Sequence, residues 1–190
     1  AIEEEGIPAT SKVVFGGDRE LFDSAKQDMI LAILLAVILI YLVMGAQFES
    51  FKLPFVMMFS VPLTVIGVAV SLFVTNTLLG VTAIIGILIL VGIVVNNGIV
   101  LIDYINQKRQ LGLNITEAII TGAQDRMRPI LMTALTTILG LVPLALGIGE
   151  GTEMNQPMAI VVIGGLVSST VLTLFIVPII YSLIEKEAKE

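Results

Sequence analysis

Five long apolar runs, separated by short polar connections, dominate the pattern of hydrophobic and polar positions along this chain. The runs cover residues 29–48, 55–74, 81–105, 129–148 and 158–184. Asp103 is the only charged side chain inside any of them. A helix needs about 20 apolar residues to cross a bilayer core of about 30 Å. The pattern therefore predicts an all-α membrane protein, a bundle of about five transmembrane helices that spans residues 29–184.

The two ends of the chain are more polar than the runs. Residues 1–28 contain a strand-like stretch at 11–15 and a polar helical run at 18–28 that leads into the first apolar run. A segment this short cannot form a core of its own. We therefore predict that it is the end of an outer (periplasmic or extracellular) domain with a lead-in helix, and that residues 185–190 are a cytoplasmic tail. The missing initiator Met favours a piece of a longer protein.

Capping and proline signals predict where several helices begin and end. Asn114 and Glu117 have the spacing of a capping box, which predicts a short separate helix on the inner membrane surface. Pro129 suits the first turn of the fourth span. Pro143 is expected to kink that span, and Pro178 to break the fifth near its end.

Basic residues mark one side of the predicted membrane. Seven of the ten Lys and Arg residues lie on that side: Lys52, Lys108, Arg109, Arg126, Arg128, Lys186 and Lys189. The connections at 75–80 and 149–157 contain neither Lys nor Arg. The positive-inside rule therefore predicts a multi-pass protein of the inner or plasma membrane with its C-terminus in the cytoplasm.

Composition argues against most soluble functions. The chain is 56% hydrophobic and 14% charged, with neither Cys nor His, whereas soluble domains are about a quarter charged. Disulfides, zinc–thiolate sites and histidine triads are thereby excluded, and no cofactor or metal site is predicted. We expect no nucleic-acid partner, because no basic patch is present, and no enzyme activity, because no nucleophile–base pair is visible.

Polar residues in the third run are the first candidates for function. Asn96 and Asn97 lie near its middle, where polar side chains are costly. They could join helices by hydrogen bonds or lie beside an ion or proton pathway, although an amide cannot itself take up a proton. Asp103 lies seven residues after Asn96, on the same helical face. It is either a hydrated carboxylate at the interface or a buried proton site.

A second pair of candidates flanks the start of the fourth run. Arg126 lies seven residues before Thr133, on the same helical face if the helix begins early enough. Arg126 could be an interfacial anchor, and Thr133 could bond its own helix backbone. Glycines at 86, 92 and 98 and the two amides lead us to expect the third helix to be the most enclosed. The small residues at 164–165 and 168–169 predict close helix packing.

Specific strings in the sequence resemble a known family. They are AQFESFKLP at 46–54, SVPLT at 60–64, GIVVNNGIVLIDY at 92–104 and RMRPILMT at 126–133. Together they closely resemble the C-terminal membrane portion of the resistance–nodulation–division (RND) efflux transporters, of the hydrophobe–amphiphile efflux type. The resemblance extends from about Gly6 to the end of the chain.

The resemblance implies a larger assembly. Family members have two homologous membrane halves of six helices each and large outer domains, and they usually form homotrimers that exchange protons for drugs, detergents, metals or lipids. This chain would be the last five helices of the second half and the end of its outer domain. Its partners would be the N-terminal half of the same transporter, two further copies and the lipid bilayer.

The resemblance also assigns roles to four residues. The family's proton-carrying acids are an adjacent aspartate pair in the first half, which faces a Lys-Asn pair in the second. Asn97 matches that pair, and Asn96 departs from it because an amide supplies no compensating charge. Arg126 and Thr133 fall on relay-associated Arg and Thr positions.

Three functions remain open on the sequence. The chain could belong to a proton-driven exporter of drugs or other amphiphiles, to a membrane scaffold in which the polar residues only join helices, or to a protein-translocation relative in the same superfamily. An Asp-Asp pair in a homologous upstream helix would favour the exporter.

Overall fold

The structure, a computed structural model, describes residues 18–49, 51–58 and 60–187. Six α-helices follow one another: α1 Asp18–Phe48, α2 Lys52–Met58, α3 Ser60–Thr75, α4 Val81–Gln110, α5 Ile115–Ala145 and α6 Gln156–Glu187, with a short 3₁₀ turn at Thr152–Met154. No strand occurs in these ranges. The strand-like stretch at 11–15, most of the predicted outer segment and residues 188–190 lie outside them. The predicted lead-in helix from residue 18 is the first part of α1.

Four of the described helices are long and apolar enough to cross a membrane. They lie within α1, α4, α5 and α6, and a shorter apolar helix covers Val61–Thr75. The predicted all-α membrane bundle is thereby confirmed. The second predicted span, 55–74, is covered by α2 and α3, which lie on either side of residue 59, a position outside the described residues.

The helix α5 corrects the predicted boundaries around the fourth span. The Asn114 side chain accepts a hydrogen bond of 2.9 Å from the backbone N–H of Glu117, so the predicted cap is present. The helix then continues without interruption through Pro129 to Ala145. The predictions of a separate surface helix and of a helix that begins at Pro129 were therefore wrong. One proline removes a single backbone hydrogen bond, and the rest of the 31-residue helix keeps its own.

Two further helix ends differ from the predicted ones. The helix α5 ends at Ala145, and Gly147 follows in a left-handed conformation (φ 68°), as is common just beyond a helix end. Pro178 lies inside α6, which continues to Glu187. The predicted break at Pro178 was therefore wrong.

The helix α6 is the centre of the bundle and packs against α3, α4 and α5. Small residues make its contact with α3 close. A Cβ added to Gly164 would overlap the side chain of Ser71, and one added to Gly67 would overlap Ser168. On a neighbouring face of α6, a Cβ on Gly165 would overlap Leu90 of α4. The small-residue face predicted for the fifth span is thus its packing face.

Enclosure within the bundle also differs from the expectation. In the most apolar stretch of each helix, 50% of α6 residues are buried, against 44% in α4 and 11% in both α1 and α5. The prediction that the third span is the most enclosed was therefore wrong by a small margin. The small residues of α6 explain the order, because they let α3 and α4 approach it closely.

Candidate functional site

The two adjacent amides lie halfway along α4 and differ in exposure. Asn96 is exposed and Asn97 is half-buried. Asn96 lines a groove of about 240 Å³ between α1 and α4, together with Leu39, Ile40, Val43, Met44, Gly92, Val95 and Ile99. Within the described part of the chain, neither amide has a hydrogen-bond partner. They do not join helices of this bundle, which weakens the packing interpretation within this chain.

Arg126 lies against an aromatic ring of the neighbouring helix. Its guanidinium carbon is 4.4 Å from the centroid of the Tyr104 ring, within the range of a cation–π contact. The Arg126 Nε atom is buried and has no hydrogen-bond partner in the described residues. Arg126 is therefore held by a ring on one side and retains an unused donor.

The acid next to Arg126 is engaged by other groups. Asp125 accepts a 3.2 Å hydrogen bond from the hydroxyl of Tyr104. The same oxygen of Asp125 lies 3.2 Å from the Lys108 ammonium nitrogen, which in turn is 5.0 Å from the centroid of the Tyr104 ring. Asp125 thus pairs with Lys108, and no ion pair joins its carboxylate to Arg126.

A close helix crossing sets the register of this cluster. Gly122 of α5 faces Ile105 of α4, and a Cβ added to it would lie 2.8 Å from a side-chain carbon of Ile105. The crossing places Arg126 level with Tyr104. Because α4 and α5 run in opposite directions, moving seven residues along each from this level, about 10 Å, brings Asn97 and Thr133 to the same depth.

The other two candidates have local partners. The Thr133 hydroxyl donates a 3.0 Å hydrogen bond to the carbonyl of Ile130 in its own helix, as the simpler interpretation predicts. Asp103 is half-buried and accepts a 2.9 Å hydrogen bond from Nε2 of Gln107, one turn along α4. The structure does not pair Asp103 with Arg126. The structure brings Arg126 and Tyr104 together. It shows no hydrogen bond that joins Asn96, Thr133 and Asp103 to one another.

A second polar cluster, which the sequence interpretation missed, joins α4 to α6. Tyr181 is fully buried. Its hydroxyl accepts a hydrogen bond of 3.0 Å from Nη1 of Arg109 and donates one of 2.5 Å to Oδ1 of Asn106. The sequence contains one weak signal for this cluster, because Tyr181 lies in an apolar run and a buried tyrosine hydroxyl needs a hydrogen-bond partner.

Among the residues that the structure describes, no group of three or more carboxylate, His or Cys side chains is placed to hold a metal ion.

Comparisons with known proteins place the chain in a family. The family model described as AcrB/AcrD/AcrF matches residues 1–185. The chain is 38% identical over 182 residues to multidrug resistance protein MdtC of Erwinia tasmaniensis, with 95% of this chain and 18% of that protein covered. It is 47% identical over 161 residues to swarming motility protein SwrC of Bacillus subtilis, with 84% and 15% covered.

A solved structure agrees with these relatives. The crystal structure of a heavy metal efflux pump matches with a TM-score of 0.81 at 34% identity, covering 90% of this chain and 17% of that one. The chain thus spans less than a fifth of the length of the relatives it matches. The resemblance drawn from the sequence motifs is confirmed, and the chain belongs to the AcrB/AcrD/AcrF family of RND transporters.

Proposed function

We propose that this chain is the C-terminal membrane part of a proton-driven RND-type efflux transporter that exports drugs or other amphiphiles. The observation that carries the proposal is the environment of Asn96. Its amide is exposed halfway along a 30-residue apolar helix and has no hydrogen-bond partner in the described residues. An unpaired polar group at this depth in lipid is costly, so it favours a partner from another part of the transporter.

The chemistry of the available donors favours an acidic partner. The amides of Asn96 and Asn97 can donate to a carboxylate, and the buried Nε of Arg126 is a further unused donor. Charged donors bond carboxylates more strongly than neutral ones do. The aspartate pair that the family resemblance implies in the N-terminal half has this chemistry. We infer that the pair takes up and releases the transported protons, and that Asn96, Asn97, Arg126 and Thr133 surround its path.

Arg126 takes on added importance because Asn96 replaces a Lys. With no ammonium at position 96, a positive charge on the helical face of Thr133 is that of Arg126, about 10 Å along the bundle from the depth of the amides. We infer that this charge offsets the ionised state of the acids across the intervening distance. Thr133, at the depth of Asn97, can exchange its local bond for one to water.

The remaining parts of the proposal follow the family and the charge pattern. We infer a multi-pass inner-membrane protein with a cytoplasmic C-terminus and Asp103 near the cytoplasmic face. Its membrane partner would be the N-terminal half, and the whole transporter would form a homotrimer. The name of MdtC refers to multidrug resistance, which supports export of drugs or other amphiphiles.

The test is drug transport by the full-length transporter in liposomes under an imposed pH gradient. Asn96→Leu removes the amide while keeping the branched shape and the number of heavy atoms, and should reduce transport per folded molecule by about tenfold, the effect of stripping one donor from a buried carboxylate. Thr136→Val is the matched control, since the exposed Thr136 hydroxyl bonds its own helix at Met132 over 2.8 Å. Its transport rate should equal that of wild type.

Two results would contradict the proposal. Wild-type protein that moves no drug or proton under any gradient would favour the scaffold. Asn96→Leu protein that folds poorly but transports normally per folded molecule would make Asn96 a structural residue and remove it from the proton path.

A further inference from the structure

Tyr104 contacts three charged side chains on α4 and α5, those of Arg126, Asp125 and Lys108. Its ring lies under the Arg126 guanidinium at 4.4 Å, and its hydroxyl donates to Asp125. The Lys108 ammonium lies 5.0 Å from the same ring. One aromatic side chain therefore bridges the two helices that carry the four candidate relay residues.

The Arg126 charge interacts with Asp125 at longer range, but no ion pair joins the two side chains. Asp125 precedes Arg126 directly and would be its obvious counter-ion, but the Asp125 carboxylate is held 3.2 Å from both Lys108 and the Tyr104 hydroxyl. The guanidinium of Arg126 instead faces an uncharged ring, which attracts a cation without neutralising it. No other described group uses the buried Nε donor.

We propose that Tyr104 is a positioning residue for the relay, which holds the Arg126 guanidinium by stacking while Lys108 and Tyr104 together keep Asp125 away from it. The inference rests on the proposed function, because Arg126 must matter for proton-coupled transport. The inference gives Tyr104 a role in transport and gives the Lys108–Asp125 pair a function. The sequence motifs assign neither. Stacking requires the planar guanidinium, so the substitution Arg126→Lys would keep the charge and lose most of the contact.

The experiment is a double-mutant cycle in the full-length transporter, reconstituted in liposomes with a pH gradient. Tyr104→Leu removes the ring and should lower transport per folded molecule by about threefold to thirtyfold, the factor that corresponds to one cation–π contact. Tyr104→Phe keeps the ring and should recover most of that loss. In an Arg126→Lys background, Tyr104→Leu should cause less than about a twofold further loss, since little stacking remains to be removed.

The matched control is Tyr41→Leu, the same change on α1, where the Tyr41 hydroxyl donates to the Phe51 carbonyl. Its transport per folded molecule should equal that of wild type. If Tyr104→Leu does not fold, Tyr104→Met replaces it, because Met fills a similar volume without a ring.

The outcomes separate the inference from the proposed function. Equal losses from Tyr104→Leu in the wild-type and Arg126→Lys backgrounds would mean that Tyr104 acts independently of Arg126, and the inference would be overturned while the transporter function stood. No loss in either background would also overturn it. Wild-type protein without proton-coupled transport would overturn the proposed function itself.

Discussion

Threonine and tyrosine side chains in this bundle differ in where their hydrogen bonds go. Thr133, Thr136 and Thr170 bond carbonyls of their own helices, a local arrangement that satisfies the hydroxyl without a neighbour. Tyr104 and Tyr181 bond across helices. The cross-helix tyrosines are therefore the residues whose loss should be felt beyond their own helix.

Tyr181→Phe should destabilise the bundle. The change keeps the buried ring and removes the hydroxyl that accepts from Arg109 and donates to Asn106. We expect a loss of about 1–3 kcal/mol in the free energy of unfolding, because one of the bonds involves a charged donor. Denaturant unfolding of the full-length protein in detergent measures it. Tyr41→Phe, which removes a single hydroxyl bond to a carbonyl, should change stability much less, and equal effects would contradict the prediction.

The sequence predicts hydrogen bonds between residues a few positions apart, but it does not predict hydrogen bonds between residues that are distant along the chain. The Asn114 cap depends on a residue three positions away, and the sequence predicts it correctly. The partners of Tyr104 and Tyr181 lie 21 to 75 positions away. The crossing at Gly122 and Ile105 brings Tyr104 to its partner on α5, and the packing of α6 against α4 brings Tyr181 to its partners. No local pattern specifies the register of either contact.

At the scale of helices, the sequence predicted which segments are apolar better than where helices stop. Pro129 and Pro178 are both inside continuous helices, although each was expected to mark a boundary. A proline removes one backbone bond and strains one turn. In lipid the remaining backbone groups have no water to bond, so the helix on either side of a proline persists.

The contact between α3 and α6 should be sensitive to a single methyl group. Gly164→Ala would place a Cβ against Ser71, and the two helices would have to separate. We expect a loss of about 1–3 kcal/mol, as for other overpacked sites. Gly140→Ala is the matched control in α5, where an added Cβ meets nothing within 4 Å. It should be neutral or slightly stabilising, since Ala favours helix.

Unfolding midpoints of the two variants give the comparison directly. A Gly164→Ala protein as stable as Gly140→Ala would mean that α3 and α6 pack less closely than the structure indicates.

Considered as a whole, the molecule has donors at membrane depth and few acids. Asp103 is the only charged side chain in the five apolar runs, and it lies seven residues from the end of α4. A proton path needs a group that ionises, which an amide does not do. Under the proposed function, the membrane part described here would supply one side of the relay, and the ionisable groups would come from the N-terminal half.

This chain expressed alone should not conduct protons. When it is reconstituted in liposomes with a pH-sensitive dye inside, an imposed pH gradient should decay at the rate of empty liposomes. Asp103→Asn should leave that rate unchanged. A faster decay that Asp103→Asn abolishes would show that Asp103 carries protons and would contradict the prediction.

The central position of α6 has a consequence for the order in which the bundle is built. The helices α3, α4 and α5 precede α6 along the chain, and α6 packs against all three. During synthesis they enter the membrane before their common neighbour exists, with the faces around Gly67 and Leu90 still covered only by lipid. These contacts therefore cannot form until α6 has been translated. A ribosome that stalls before α6 would leave three inserted helices without the neighbour that joins them, and quality-control proteases would find them unassembled.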